Sequence, residues 1–235
     1  MCNTANKQIK VPGSAVPEMC FVDLDGTLLS ISSEKLFLKR LLKKRILSLH
    51  GLLRFLLSYA LHPIRTLREG KGWNRTYLLD ISPETVKTEA RKLAEELARN
   101  RLHSWTAAFI RELSEAGSRI VILSASLEYI AGVIAEELSA DLIFASIPEI
   151  IDNRFSGNLT GLRPWGRNKA ILMKQICEKE GINRDNCIAV GDSWADRFVM
   201  RQCGSAVAVC PDGRLLKLAK SKGWKIIEGS HIRWA

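Results

Sequence analysis

The segment Met19–Ser30, "MCFVDLDGTLLS", joins a short apolar run to two acids. Its start, residues 19–23, is typical of a strand covered on both faces of a sheet, which needs a nearly continuous hydrophobic run. Asp23 and Asp25 close that run, and a Gly-Thr pair follows at once. Because two carboxylates at the end of a buried strand repel each other, the pattern predicts either a bound cation or a pair that does chemistry.

The rest of the chain alternates short apolar strands with amphipathic helices. Strand-like runs are "RIVILSAS", "DLIFASI", "NCIAVGDS", "SAVAVC" and "WKII", and "IIDNRFSGNLTG" predicts a β-hairpin through Asn153–Gly157. This alternation predicts an α/β protein with a parallel sheet and helices on both of its faces. Residues 32–104 have helical patterns only and are too long for a crossover between two strands. We therefore expect a flexible N-terminal arm at 1–17, a core formed by 18–31 and 105–235, and a helical insertion at 32–104.

Composition narrows the class of protein. With 46% hydrophobic and 26% charged residues, the 235-residue chain has the balance of a soluble globular protein. No long apolar run is free of charge and the N-terminus is polar, which predicts neither a transmembrane helix nor a signal peptide. The six cysteines form no Cys-x-x-Cys pair. They predict thiols in a reducing cytoplasm.

The positive charge is concentrated in one segment. Between Lys35 and Arg75 there are eleven Lys or Arg and one acid, a net charge of +10 that equals the net charge of the whole chain. Treated as one helix, residues 36–61 place their basic side chains, except Arg45, in one arc and their leucines around the rest, and "HG" at 50–51 is a candidate helix break. Two interpretations stay open: the leucines form the core of the insertion, or the segment lies on an anionic membrane.

Polar clusters follow several predicted strands. "DLDGT" follows the first strand, "SAS" (124–126) ends the second, and "GDSWAD" (191–196) follows "IAV", while Lys169 opens a helix. In an open parallel sheet these segments meet beyond the carboxyl ends of the strands. The predicted site contains seven side chains: Asp23, Asp25, Thr27, Ser124, Lys169, Asp192 and Asp196. Four carboxylates in one cleft offer only oxygen ligands, which favours Mg²⁺. The lysine and hydroxyl groups of the same cleft favour binding of an anionic phosphate.

A carboxylate pair at this position can catalyse phosphoryl transfer. An ionised carboxylate attacks phosphorus without a base and forms a covalent aspartyl-phosphate. A second acid two residues on can protonate the leaving oxygen and later take a proton from water. The sequence thus predicts a phosphatase site built on Asp23 and Asp25.

Four motifs resemble those of the haloacid dehalogenase-like (HAD) hydrolase superfamily, in the same order: "DLDGTLL", "VILSAS", the lysine of "GRNKAILM" and "GDSWAD". The hairpin and the C-terminal "VCPDGRLLKLAKSKGWKII" resemble the phosphoserine-phosphatase-like branch, subfamily IB. The resemblance implies a three-layer, Rossmann-like HAD core, with residues 32–104 as a helical cap of the C1 type.

The resemblance also implies roles for single residues. Asp23 would be the nucleophile and a metal ligand, and Asp25 the general acid/base with its backbone carbonyl on the metal. Asp192 would be a further Mg²⁺ ligand, and Asp196 would support either the metal or Lys169. Phosphate would be bound by Gly26, Thr27, Ser124, Ala125 and Lys169. The retained Asp25 favours phosphatase over dehalogenase chemistry.

The substrate is less determined. Phosphoserine phosphatases carry a glutamate in the first cap turn, whereas positions 31–33 here are Ile-Ser-Ser and Glu34 is the nearest acid, which argues against an amino-acid substrate. Candidate substrate contacts are Glu34, Arg163 and Arg167. We expect a Mg²⁺-dependent phosphomonoesterase acting in the cytoplasm on a small phosphorylated metabolite, with no nucleic-acid partner.

Two alternatives remain from the sequence. A lipid-phosphate phosphatase, similar to phosphatidylglycerophosphate phosphatases, would sit peripherally on the cytoplasmic membrane face through 36–61. A non-catalytic polyanion-binding protein would use the basic insertion alone.

Overall fold

A computed structural model describes residues 16–69 and 71–228 of the chain, so the predicted arm lies almost wholly outside the described residues. In the described part, seven strands form one sheet in the order β4-β3-β2-β1-β5-β6-β7. Every neighbouring pair is parallel except β3 and β4. The strands are β1 Met19–Val22, β2 Arg119–Leu127, β3 Leu142–Ile151, β4 Arg154–Thr160, β5 Cys187–Gly191, β6 Ser205–Val209 and β7 Lys225–Ile227.

The first strand lies at the centre of the sheet because its four side chains are buried on both faces. Cys20 and Val22 belong to one hydrophobic cluster, and Met19 and Phe21 belong to the other. This alternation follows from the two-residue period of a strand. The continuous apolar run thus places the end of β1, and the acids after it, in the middle of the sheet edge.

Helices cover both faces, as the sequence predicts. The helices are α1 Ser33–Lys43, α2 Leu49–Leu61, α3 Pro63–Glu69, α4 Pro83–Asn100, α5 Ser104–Glu115, α6 Glu128–Glu137, α7 Arg167–Glu180, α8 Arg197–Met200 and α9 Gly213–Lys222. One hydrophobic cluster contains side chains of α1, α4, α5 and α6 in addition to its sheet residues, and the other contains side chains of α7, α8 and α9. Short 3₁₀ turns lie at Lys71–Trp73, Thr76–Leu78, Arg184–Asn186 and Trp194–Asp196.

The predicted hairpin differs in its boundaries. "DLIFASI" and the first half of the hairpin form one continuous strand, β3, and the turn is made by Asp152 and Asn153. Both turn residues have positive φ angles, 48° and 58°. A two-residue hairpin turn needs this conformation, and Asn and Asp tolerate it better than other residues with a side chain. Gly157 therefore lies inside β4 instead of in the turn.

The insertion is helical, but 36–61 is not one helix. The chain leaves α1 after Lys43, turns through Arg45 at a φ of 58°, and re-enters a helix at Leu49. The Ser48 hydroxyl caps α2 by accepting from the Gly51 N–H at 3.0 Å. The break therefore lies before "HG" at 50–51, and the basic residues that share one arc on a single-helix projection are divided between two helices. None of the helices in the described ranges is long and apolar enough to cross a membrane.

A partly buried ion cluster holds α1 against α4. Glu89 of α4 accepts from Arg40 Nε at 2.8 Å and from Lys44 Nζ at 2.8 Å. These two cations hold the Glu89 carboxylate ionised: although burial opposes them, its pKa lies below the usual value. Arg40 also pairs with the more exposed Glu96 at 2.9 Å. Glu89 is thus the acid on which the packing of these two helices depends.

We expect Glu89→Ala to lower the free energy of unfolding by about 2 kcal/mol, since hydrogen bonds to charged groups are worth roughly 1.5–3 kcal/mol. Urea denaturation at neutral pH measures the change. Glu95→Ala is the matched control on the same helix, because the exposed Arg91–Glu95 pair contributes little. Equal effects of the two substitutions would show that the cluster does not stabilise the insertion.

Candidate active site

The predicted polar clusters come together at the carboxyl ends of β1, β2 and β5. The backbone N–H of Asp23 still donates to Val190 O at 3.0 Å, so this residue continues the line of β1. Asp192 and Asp196 follow β5, and Ser124 lies near the end of β2. The four residues line one pocket of about 180 Å³ together with Lys169 of α7. The topology thus brings together segments that are far apart in sequence.

Lys169 is the cation at the centre of this pocket. Its buried ammonium donates to Asp23 Oδ1 at 2.5 Å and to Asp196 Oδ1 at 2.6 Å. Burial alone would lower the pKa of Lys169, but Asp196 and Asp23 outweigh it and raise the pKa above the usual value. A cation in the first turn of a helix opposes the helix dipole. The two carboxylates compensate for that position and keep Lys169 charged.

Three carboxylates lie close enough to share one metal ion. Asp23, Asp192 and Asp196 each offer an oxygen within 4.8 Å of the others. Asp192 Oδ1 also accepts from the Thr27 hydroxyl at 3.2 Å. Oxygen donors with a net negative charge are the ligands that Mg²⁺ prefers, so the residues present fit this ion.

Without such an ion, burial disfavours the ionised forms of Asp23 and Asp192. Burial, opposed in part by Lys169, raises the pKa of Asp23 to about 7. Burial, followed by repulsion from Asp23 and Asp196, raises the pKa of Asp192 to about 9. The Asp196 carboxylate is held by other contacts, since its Oδ2 accepts from the Ser193 N–H and hydroxyl at 3.1 and 2.7 Å. Asp23 and Asp192 therefore have the greater capacity left for a metal.

Gly26 is needed for this geometry. Its φ is +89°, and a Cβ at this position would overlap the Asp192 carboxylate. The backbone N–H of Gly26 donates to Leu29 O at 2.7 Å and that of Thr27 to Leu24 O at 3.3 Å. These N–H groups are engaged inside the turn, so the geometry does not support their predicted contact with phosphate. Thr27 instead contributes its hydroxyl to Asp192.

Asp25 faces the insertion rather than the carboxylate cluster. Its Oδ1 accepts from the Ser33 N–H at 3.1 Å, and its Oδ2 from the Ser126 hydroxyl at 2.9 Å. The Ser33 hydroxyl donates in turn to Ser126 at 2.9 Å. Burial raises the pKa of Asp25 above its usual value, although these hydrogen bonds oppose the shift. The two acids of "DLDGT" thus have different partners and different surroundings.

The sequence did not predict the serines that position Asp25. Ser126 lies just before α6 but does not cap it, because α6 starts at Glu128 and its N-cap is Leu127, without a side-chain hydrogen bond. Ser33 is the first residue of α1, where a serine is ordinarily a sign of a helix start. Their hydrogen bonds join the insertion to β2 across 93 positions, which no local pattern reveals.

Ser124 and Ala125 lie in the pocket as expected. Ser124 is buried and its Oγ accepts from the Ser126 N–H at 3.1 Å, so its hydroxyl proton remains available for a ligand. The carbonyl of Ala125 accepts from Ser146 Oγ at 2.7 Å and from Arg75 at 3.3 Å. These contacts fix the "SAS" segment beside Asp23.

The three candidate substrate contacts are in different places. Glu34 lines the small pocket and pairs with the buried Arg75, with 3.0 Å between Oε1 and Nη1. Tyr77 donates to the same Oε1 at 3.4 Å. Arg163 and Arg167 line a second, larger cavity next to the small pocket. The charge of Glu34 is therefore balanced within the protein, whereas the two arginines belong to a separate space.

The chain is similar in sequence to known hydrolases. The family model of haloacid dehalogenase-like hydrolases matches residues 20–201. The chain belongs to this family. Phosphoserine phosphatase SerB1 of Mycobacterium tuberculosis is 26% identical over 212 residues, which cover 88% of this chain and 69% of the relative. The prediction of a phosphatase-type enzyme is confirmed at this level, by a hydrolase family and by relatives that bear phosphatase names.

Solved structures agree with the fold. A Bordetella pertussis protein of unknown function superposes with a TM-score of 0.75 at 19% identity, covering 91% of this chain and 99% of the other. The structure of a phospho-aspartyl intermediate analogue of phosphoserine phosphatase gives a TM-score of 0.60 at 16% identity, covering 92% and 95%. The predicted Rossmann-like HAD fold class is confirmed.

The raised pKa values of Asp23 and Asp192 predict how Mg²⁺ affects stability. A carboxyl whose folded pKa exceeds its unfolded value of about 3.9 stabilises the fold at low pH and loses that contribution as pH rises through the folded pKa. The loss here falls between about pH 4 and pH 9. We therefore expect millimolar Mg²⁺, compared with EDTA, to raise the melting temperature more at pH 8 than at pH 5.

Asp192→Asn tests the source of this shift, because it removes the acid with the higher pKa and leaves the shape of the side chain nearly unchanged. The variant should lose most of the Mg²⁺ response at pH 8. The control Asp152→Asn, in an exposed turn, should keep it. An equal Mg²⁺ response at both pH values in the unaltered protein would contradict the prediction.

Proposed function

We propose that the protein is a Mg²⁺-dependent phosphomonoesterase that forms an aspartyl-phosphate on Asp23. The observation that carries this proposal is the separation of the two acids after β1. Asp23 lies within the carboxylate cluster, where its carboxylate pairs with the Lys169 ammonium. Asp25 lies on the side of the insertion, where it accepts hydrogen bonds from Ser33 and Ser126. One acid is thus placed for nucleophilic attack and the other for proton transfer.

In the first step, an Asp23 carboxylate oxygen attacks phosphorus and the bond from phosphorus to the leaving oxygen breaks. Asp25 donates its proton to that oxygen, so the alcohol leaves neutral. Lys169 and the Ser124 hydroxyl bind the phosphoryl oxygens, and Lys169 also orients Asp23. Three hydrogen-bond donors hold the Asp25 carboxyl group in place before substrate binds.

In the second step, water attacks phosphorus on the side opposite to Asp23. Asp25, now ionised, takes the proton of that water, and the bond between phosphorus and Asp23 breaks. Inorganic phosphate leaves and both acids return to their starting states.

Asp23 and Asp192 would hold the Mg²⁺ ion, with the backbone carbonyl of Asp25 as a further proposed ligand. Bound there, the ion would neutralise charge on the phosphoryl group. We assign Asp196 to support of Lys169 and of the 193–196 turn, because both of its oxygens already accept hydrogen bonds.

We also propose that 18–31 and 105–235 form the catalytic core and that 32–104 form a cap over the site. Contacts of Ser33 and Glu34 with the site residues support this division. A small phosphorylated metabolite in the cytoplasm stays the first candidate substrate. The Glu34–Arg75 pair offers no unbalanced charge to an amino acid, although the relative SerB1 is named for phosphoserine.

The nucleophile is tested by Asp23→Asn. Loss of a catalytic nucleophile costs roughly 10⁴-fold or more in turnover, and we expect that loss with p-nitrophenyl phosphate and Mg²⁺. Acid quench of the unaltered protein with ³²P-labelled substrate should yield a hydroxylamine-sensitive acyl phosphate on residue 23. Asp152→Asn should keep full activity. Turnover without labelling of residue 23 would refute the aspartyl-phosphate.

A second candidate substrate, a phosphorylated lipid, is favoured by the surface of α2 and α3. The exposed fractions are 82% for Leu49, 74% for Leu61 and 86% for Leu67. Leu53, Leu56, Leu57 and Ile64 are also more than half exposed. The inner side of α2 carries Gly51 and Ser58, both buried, and Arg54, which pairs with Asp80 at 2.8 Å. The helix therefore turns much of its aliphatic side to solvent.

The charge next to this surface is positive. Lys43, Lys44 and Arg45 are exposed directly before α2, and only Lys44 of the three pairs with a carboxylate in the part of the chain that the structure describes. Two copies docked through this face would bring the basic segments together. An anionic lipid surface matches both the apolar and the charged parts, as with amphipathic helices that lie in a membrane interface.

Flotation with phosphatidylglycerol vesicles at low salt tests this candidate, and we expect binding that weakens as salt increases. The double variant Leu49→Asp, Leu67→Asp should weaken partition by about tenfold or more, because burying one leucine is worth about 1.5–3 kcal/mol. Ile171→Asp, on the opposite face of the sheet and 46% exposed, is the control. Failure to float at low salt would remove the lipid candidate.

A further inference from the structure

The catalytic pocket is too small for a whole substrate. Its volume is about 180 Å³, and it is lined by the carboxylates, Lys169 and the "SAS" segment. A phosphoryl group with its metal would occupy most of this space. The alcohol part of any larger phosphate ester must therefore extend into neighbouring space.

A larger cavity of about 830 Å³ adjoins this pocket. Trp165, Ser193 and Ala195 line both spaces, so the two cavities meet at these three residues. Its walls come from the insertion, the loop before α7 and the start of α8. Nothing in the proposed chemistry uses this cavity.

The outer cavity is strongly basic. Among the residues that the structure describes, four arginines line it, Arg65, Arg163, Arg167 and Arg197, with one acid, Asp212. Asp212 is occupied as the cap of α9, since it accepts from the N–H groups of Leu215 at 2.8 Å and of Trp194 at 2.5 Å. Neither Arg167 nor Arg197 forms a salt bridge with a carboxylate in the described ranges. The cavity thus retains positive charge that the protein does not neutralise.

Three of these arginines lie over aromatic rings. Arg197 lies 3.8 Å from the ring centroid of Phe198 and 4.2 Å from that of Trp194. Arg167 lies 5.4 Å from the Phe198 ring, and Arg163 lies 5.4 Å from that of Trp165. A stacked guanidinium has fewer rotamers to lose and presents its N–H edge to a planar oxyanion. The stacking therefore prepares these side chains for an anion.

The position of Arg167 on its helix carries an electrostatic cost. It is the first residue of α7, whose first turn contains no acid. A cation there is unfavourable to the helix dipole and lies two residues from the buried Lys169. An anionic group bound in the cavity would compensate for that cost.

We propose that the outer cavity binds the leaving group of the substrate and that this group carries a second oxyanion, a phosphate or a carboxylate. The inference rests on the proposed phosphomonoesterase function and narrows its substrates to phosphate esters with two anionic ends. Arg163, Arg167 and Arg197 bind the second end while the first lies on Lys169. This role is separate from Arg75, whose charge is balanced by Glu34.

The test compares α,ω-alkanediol bisphosphates and ω-carboxyalkyl phosphates with alkyl monophosphates of the same chain length. For the unaltered protein we expect kcat/KM to favour the doubly anionic ester about tenfold or more at one optimal length. The two doubly anionic series show whether phosphate or carboxylate is preferred. The ratio should fall as salt increases, because the arginines are partly open to solvent.

Arg167→Gln should reduce this ratio about tenfold, mainly through KM, and Arg167→Lys should restore part of it. Arg111→Gln, an exposed helix arginine outside both cavities, should leave the ratio unchanged. A ratio near one at every length, or an equal loss in Arg111→Gln, would overturn the inference and leave the phosphatase function standing. No hydrolysis of any ester, including p-nitrophenyl phosphate, would overturn both.

Discussion

The buried ammonium of Lys169 between Asp23 and Asp196 is the interaction on which the site depends. Three carboxylates and one cation in a small buried space leave an excess of negative charge, which burial makes costly. The cost appears in the raised pKa values of Asp23 and Asp192. The repulsion among Asp23, Asp192 and Asp196 therefore favours a dication in this pocket.

The sheet is what makes this concentration of charge attainable. The central strand β1 is covered on both faces, and its parallel neighbours end at the same edge. Backbone groups fix the acids after β1 and β5, so little conformational freedom is left to separate them. Gly26 provides the remaining space, because any side chain there would displace Asp192. The rigid ends of the strands therefore keep these carboxylates close together, whereas flexible loops would allow their repulsion to separate them.

The sequence predicted the parts of the structure that local pattern determines. The end of β1 and the clustering of the motif residues follow from hydrophobic periodicity and the parallel sheet. Contacts between distant residues did not follow: Ser33 and Ser126 on Asp25, and Glu34 on Arg75, join segments that no short pattern links. The direction of the leucines of α2 was also open. Amphipathic spacing gives two faces of a helix but does not tell which face is covered.

The inner pocket and the outer cavity, which meet at Trp165, differ in the sign of their charge. Inside, three carboxylates and one lysine leave an excess of negative charge, which favours a metal ion; outside, arginines that lie over rings line a larger space with one acid among the described residues. The cavities share three residues, so an ester that spans them would place its second anionic end against the outer arginines. An ester with one anionic end would leave those arginines without a counter-charge from the substrate. The two spaces therefore differ in the sign of their excess charge, and this difference favours a metal in the pocket and a second anion beside it.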